Sequence, residues 1–115
     1  MHEMGIASSI LDTVAAEAQK RPGTRLVSVG LRIGELSGVS PEALDFCFQC
    51  LVKGTDLESI GLEIERSPRR HPCPKCAREF DVIDYDPTCP DCGEFSTALV
   101  SGDEMEIVYL EVADG

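Results

Sequence analysis

Four cysteines fall in two close pairs, Cys73-Pro74-Lys75-Cys76 and Cys89-Pro90-Asp91-Cys92, with twelve residues between the pairs. A Cys-x-x-Cys turn aims two sulfurs at one point, and two such turns supply the four thiolates of a tetrahedral zinc site. Pro74 and Pro90 restrict the turns, and Gly93 supplies the positive φ with which such a turn closes. The stretch from Pro68 to Val100 is about thirty residues long, too short to bury enough apolar surface to fold alone, so a bound ion would supply the missing stabilisation. The same ligands suit a rubredoxin-like iron site, which spacing does not separate from zinc. Disulfides within the pairs and a redox dithiol are further alternatives. The first needs an oxidising compartment, and the second normally uses one motif after a strand, whereas here the motif is duplicated. The reading these residues carry best is structural zinc on Cys73, Cys76, Cys89 and Cys92.

The chain opens Met1-His2-Glu3-Met4, and the bulk of His2 is expected to block removal of the initiator methionine. A free α-amine, deprotonated backbone amides and the His2 imidazole can then present several nitrogens in one plane. Such a set favours Ni(II) or Cu(II) over Zn(II). Its nitrogens must lose protons to bind, so binding weakens as pH falls. Taken alone, a histidine at position two reads more simply as a frayed terminal residue, and Glu3 as an acidic group favouring a helix start. Met4 is expected to open the buried face of that helix.

Cys47 and Cys50 make a third Cys-x-x-Cys on a predicted helix, where residues three apart share roughly one face. They read first as buried thiols acting as small hydrophobes, with an additional metal or redox site as the alternative. His71, two residues before Cys73, reads first as a solvated loop histidine, with a supplementary zinc ligand as the alternative. No convincing catalytic acid, base or nucleophile stands out, so a carrier is expected, not an enzyme.

These residues belong to a chain of 115 with a formal charge of −11, from 21 acidic and 10 basic residues. The length allows one small domain, or one domain with an appended lobe. Excess negative charge opposes attraction to phosphate backbones, so no nucleic-acid partner is expected. No apolar run approaches membrane-spanning length and no signal peptide precedes the chain. A cytoplasmic location, where thiols stay reduced, is therefore expected.

The elements that must position these groups follow from periodicity. Ile6, Ala7, Ile10, Leu11, Val14, Ala15 and Ala18 recur at helical spacing until Arg21-Pro22-Gly23 ends the run. Val27, Val29, Leu31 and Ile33 alternate with polar or small residues, the pattern of a strand with one buried face. Ser40-Pro41 offers a helix cap, Leu44, Cys47, Phe48 and Leu51 form the stripe, and Gly54 closes it. Ile60, Leu62 and Ile64 mark a second strand, and a third runs from about Glu104 to Val112. The fold class is α+β: a small sheet of about three strands covered by two helices, with an inserted four-cysteine zinc-ribbon lobe. Residues 1–67 and 101–115 are expected to form the α/β domain and 68–100 the inserted zinc-binding domain. The simplest arrangement places the insertion between two neighbouring strands. Within it Glu79–Ile83 and Thr97–Val100 are expected as short hairpin strands, with bending near Ser67-Pro68 and Ser101-Gly102.

Met1-His2-Glu3-Met4, Gly34-Glu35-Leu36-Ser37-Gly38, Lys53-Gly54-Thr55, both Cys-Pro-x-Cys knuckles and Gly102-Asp103-Glu104-Met105-Glu106-Ile107 occur together and in order. This combination, spanning essentially the whole chain, resembles the HypA family of nickel metallochaperones for hydrogenase and urease maturation. The resemblance implies Ni(II) as cargo, held by the Met1 amine, the His2 side chain and the His2 and Glu3 backbone amides. It implies structural Zn(II) on Cys73, Cys76, Cys89 and Cys92. It also implies a nickel-binding GTPase of the HypB type and the hydrogenase large subunit as partners, with the chain a monomer or weak homodimer. Glu35 and Asp103 lie in shared motifs and are expected to close turns or hydrogen-bond near the nickel terminus, not to ligate. Cys47 and Cys50 depart from the apolar residues the family implies there. Two rival readings stand beside this one: a zinc-ribbon adaptor of transcription or translation, for which basic residues along the ribbon would be expected, and a dithiol redox protein.

Overall fold

Apolar residues recur every three to four positions from Ile6 to Ala18, and the chain there forms helix α1 (Glu3–Gln19) in the structure, a computed structural model that describes residues 3–114. Ala7, Ile10 and Val14 enter the core, while Met4, at the margin of that stripe, is 47% exposed and does not open the buried face. Gly23 turns the chain at φ +83° into strand β1 (Thr24–Gly34). Helix α2 (Pro41–Val52) starts as its cap residues dictate: Ser40 Oγ accepts from Ala43 N at 3.3 Å and proline occupies the first turn. It ends at Val52, and Gly54 supplies the expected positive φ two residues later. Leu44, Phe48 and Val52 bring one side of α2 against Val29, Leu31 and Ile33 of β1 in a single apolar core.

Strands β2 (Gly61–Ser67) and β5 (Met105–Asp114) complete a three-stranded sheet in the order β2-β1-β5. β1 runs parallel to β2, joined to it through α2, and antiparallel to β5. The cysteine segment therefore does not link neighbouring strands, as the simplest arrangement had it. The helical crossover places β2 on one edge of β1, and only the other edge remains for β5. A register shift between Leu26 and Ser28 adds Val27 as an extra residue on β1. The bulge resets the alternation, so Leu26 and Val29 are both buried and Val27, expected inside, is half-buried.

The cysteine lobe has its own small sheet, β3 (Arg70–Pro72) antiparallel to β4 (Glu79–Asp81), with His71 opposite Phe80. The expected strand at Thr97–Val100 does not form. β4 pairs instead with the chain just before the first knuckle, a shorter loop to close, and Val100 N donates one bond to Arg70 O at 2.8 Å. A Cα radius of gyration of 17.9 Å exceeds the about 13 Å of a compact chain this long, as expected for two apolar clusters set end to end.

Hydrogen bonds cross both joints at which bending is expected. Leu36 N donates to Gly102 O at 2.6 Å, Gly34 N to Glu104 O at 2.8 Å and Arg69 N to the Glu35 carboxylate at 3.2 Å. Ser67 Oγ donates to Glu104 at 2.9 Å and Gly102 N at 2.7 Å. N–H donation from the Glu104 backbone itself and from Gly102 holds the Glu104 carboxyl below the ordinary glutamate pKa. A Cβ at Gly34 would overlap the Gly102 carbonyl, so the two segments can cross there only because residue 34 has no side chain.

Candidate metal centre

The first knuckle follows β3 directly. Cys73 N donates to Arg78 O at 2.7 Å and Ala77 N to Cys73 O at 3.1 Å, folding the chain back so that Cys76 N reaches Cys73 Sγ at 3.2 Å. The second knuckle repeats this backbone pattern: Cys89 N donates to Glu94 O and Gly93 N to Cys89 O, both at 2.9 Å, with Gly93 at φ +77° as its sequence position demands. Arg78 and Asp91 pair across the two turns at 3.2 Å.

The four sulfurs of Cys73, Cys76, Cys89 and Cys92 all lie within 4.8 Å of one another, and those of Cys73 and Cys92 are 3.5 Å apart. Zn–S bonds of about 2.3 Å in a tetrahedron require sulfurs about 3.8 Å apart, so the donor set fits a four-thiolate zinc ion. Without a cation the sulfurs compete for one negative charge. Backbone donation from Cys76 N lowers the Cys73 thiol to about 7, while its neighbours, Cys92 first, push Cys76 up to about 12. A dication at the centre removes that conflict and holds all four as thiolates.

His71 is neither solvated nor aimed at the cysteines. It is 3% exposed; Arg69 Nε donates to its Nε2 at 3.1 Å, which leaves Nδ1 to donate to Ser96 O at 2.9 Å. The ring thereby ties β3 to the chain after the second knuckle and packs tilted against Phe80 with centroids 6.2 Å apart. Replacing His71 by Ala is expected to leave the metal stoichiometry unchanged while destabilising the lobe by about 1–3 kcal/mol, because Ser96 O loses its donor. Metal analysis beside chelator-driven unfolding would check this, and loss of the ion from the purified variant would assign His71 a ligand role instead.

In the α/β part of the molecule, Glu3 begins α1 and accepts from Ser40 N at 3.2 Å, so the amino-terminal end of α1 is seated against the cap of α2. Met1 and His2 lie outside the described residues. Val39 and Pro41, beside Ser40, line a cleft of about 570 Å³ between the sheet and the cysteine lobe, with Glu35, Arg69 and Tyr85 on its walls. Glu35 acts at the joint through Arg69 N, a bond between segments 34 residues apart and not the closure of a local turn. Cys47 is half-buried against the core and Cys50 is exposed, so the buried-thiol expectation fails for Cys50. The burial of His71 and the lobe-joining role of Glu104 were missed. Position within Gly102-Asp103-Glu104 was the sole signal for Glu104.

The sequence profile described as "Hydrogenase/urease nickel incorporation, metallochaperone, hypA" matches residues 1–112. This chain belongs to the HypA family. It is 43% identical over 112 residues to the hydrogenase maturation factor HypA of Geobacter metallireducens, covering 97% of this chain and 99% of that protein. To the factor of the same name from Streptomyces avermitilis it is 42% identical over 117 residues, covering 100% of this chain and 89% of the relative. The solution structure of the Ni metallochaperone HypA from Helicobacter pylori superposes over 100% of both chains with a TM-score of 0.65 at 22% identity. A second HypA solution structure covers 98% of this chain and 97% of its own, with a TM-score of 0.69 at 23% identity. Both structures share the HypA fold. Hydrogenase maturation and nickel incorporation are thus the functions of the family to which this chain belongs. Among the described residues no helix is long and apolar enough to cross a membrane.

Proposed function

We propose that this HypA protein carries Ni(II) at its amino terminus, on the Met1 amine, the His2 side chain and the His2 and Glu3 backbone amides, and that Cys73, Cys76, Cys89 and Cys92 hold a structural Zn(II). The observation that carries the reading is the family match beginning at Met1-His2-Glu3, with Glu3 seated on the α2 cap. Residues 1–67 and 101–115 then form the nickel-binding domain and 68–100 the inserted zinc-binding domain. Backbone amides and an amine hold nickel in a plane, yet protonation or withdrawal of the terminus dismantles the site, which suits a cargo that must be surrendered. Transfer is ligand exchange and needs no catalytic residue, so the protein is a carrier and not an enzyme. The partners are a HypB-like GTPase that binds nickel and the large subunit of a [NiFe]-hydrogenase, with urease as a second recipient. Action is cytoplasmic, as a monomer or weak homodimer, and without nucleic acid, in line with the charge of −11. Acidity likewise disfavours a nucleic-acid adaptor.

Nickel-loaded protein incubated with metal-free hydrogenase large subunit, with and without the GTPase and GTP, tests delivery. Transfer accelerated by the GTPase is expected. Equal transfer from free Ni(II) at the same concentration would remove the carrier role.

A further inference from the structure

Cys47 and Cys50 take no part in the zinc cluster. Both lie in the last two turns of α2, one half-buried against the core and the other exposed. Three residues apart on an α-helix, their Cα atoms are separated by about 5 Å, from a rise of about 1.5 Å and a turn of about 100° per residue. That separation lies inside the window a disulfide spans, about 4.4–6.8 Å. The Cβ atoms fit less well: helical neighbours stand about 5–6 Å apart, and a disulfide draws them to about 3.5–4.5 Å. Closure must therefore draw the two Cβ atoms together by an ångström or more and distort the turn that carries them. The end of α2 is where a helix yields most readily: Lys53 N donates to Gln49 O at 3.2 Å, and the chain then turns away through Gly54 at φ +78°.

We propose that Cys47 and Cys50 are a redox-responsive dithiol, which low-molecular-weight disulfides of the oxidised glutathione class close into a reversible intrahelical bridge. The exposed Cys50 thiolate attacks one sulfur of the small disulfide, expelling one thiolate and forming a mixed disulfide. The Cys47 thiolate then attacks the Cys50 sulfur, breaking the mixed disulfide and expelling the second small thiolate. The two cysteines lose two electrons, the reagent gains them, and the two cysteine protons end on the two released thiols. A bridge that must pull its helix turn inwards reopens easily, which makes it a switch and not a staple. Cys92 of the four-cysteine cluster is exposed as Cys50 is, but in the zinc-loaded chain its sulfur would be held by the ion, so Cys50 is the exposed thiol left free to meet the reagent.

The test treats the zinc-loaded full chain with oxidised glutathione, alkylates the remaining thiols, and maps the products by mass spectrometry alongside Cys47→Ser and Cys50→Ser. The expected wild-type product has lost the mass of two hydrogens, carries Cys47 and Cys50 unalkylated in one bridge that dithiothreitol reopens, and retains its zinc. Cys47→Ser should stop at a glutathione adduct on Cys50, and Cys50→Ser should form no bridge. A stable glutathione adduct on Cys50 of the wild type, an unmodified Cys50, or a bridge mapped only to the zinc-site cysteines would each overturn the proposal. None of these readouts depends on nickel or on a partner protein.

Discussion

Chelating the zinc, or replacing Cys89 by Ser, is expected to unfold residues 68–100 while the three-stranded sheet and its two helices stay folded. The apolar cluster of the cysteine lobe consists of Cys73, Phe80 and Cys89, with Cys76 and Val82 against it, and its sheet has two strands of three residues. So little burial cannot offset the ordering entropy of about thirty residues, whereas structural zinc contributes an apparent 10–16 kcal/mol, about what is seen in zinc-finger peptides at neutral pH. The other core is independent of the ion, since Phe48, Leu44, Val14 and Leu31 pack together on α1, α2 and β1. Amide hydrogen exchange before and after chelation distinguishes the outcomes. Protection lost at Arg70–Pro72 and Glu79–Asp81 but kept in β1 agrees with this account, and unchanged protection of the lobe would show that it folds without metal. The pH dependence has a definite sign. Cys76, pushed up to about 12 without metal, must release its proton on binding, and Cys73, lowered to about 7, gives up its proton more readily than Cys76. Zinc affinity therefore rises with pH and falls as protons reclaim the thiols below neutrality.

Adding two residues ahead of Met1 is expected to weaken nickel binding at least tenfold, about 1.4 kcal/mol or more, although no side chain changes. The extension converts the terminal amine into an amide, a much poorer donor, and places it within the chain. Zinc content should not change, because the cluster and the start of α1 lie in different parts of the molecule. Calorimetric titration of zinc-loaded protein with Ni(II), before and after protease removal of the extension, would check this. Affinity that is the same in both forms would take the amine out of the ligand set.

Features written in local spacing were legible in the sequence. The paired Cys-x-x-Cys turns announced a cluster because the chain needs only four residues to build each half, and Ser40-Pro41 announced α2 for the same reason. Long-range pairing was less visible. Nothing near Glu104 shows that β5 approaches β1 from the side opposite β2, since that follows from where α2 returns the chain. The bulge at Val27 depends on how β5 meets β1, so alternation alone assigned Val27 to the core. His71 sits among Arg69, Arg70 and Pro72, a polar setting that reads as loop. Its burial depends on Ser96 and Phe80, brought there by the second knuckle and by β4. At the amino terminus, Glu3 resembled a helix-start acid, and its bond to Ser40 N adds a second task at long range.

Stoichiometric Ni(II) titration of the zinc-loaded protein against its His2→Ala variant, followed by the visible absorption of square-planar nickel and by metal analysis, tests the central claim most directly. The account predicts one tightly held nickel in the native chain, loss of that absorption in the variant, and one zinc per chain in both. Undiminished square-planar nickel in His2→Ala, or loss of zinc from it, would contradict a nickel-carrying terminus separate from a structural zinc lobe.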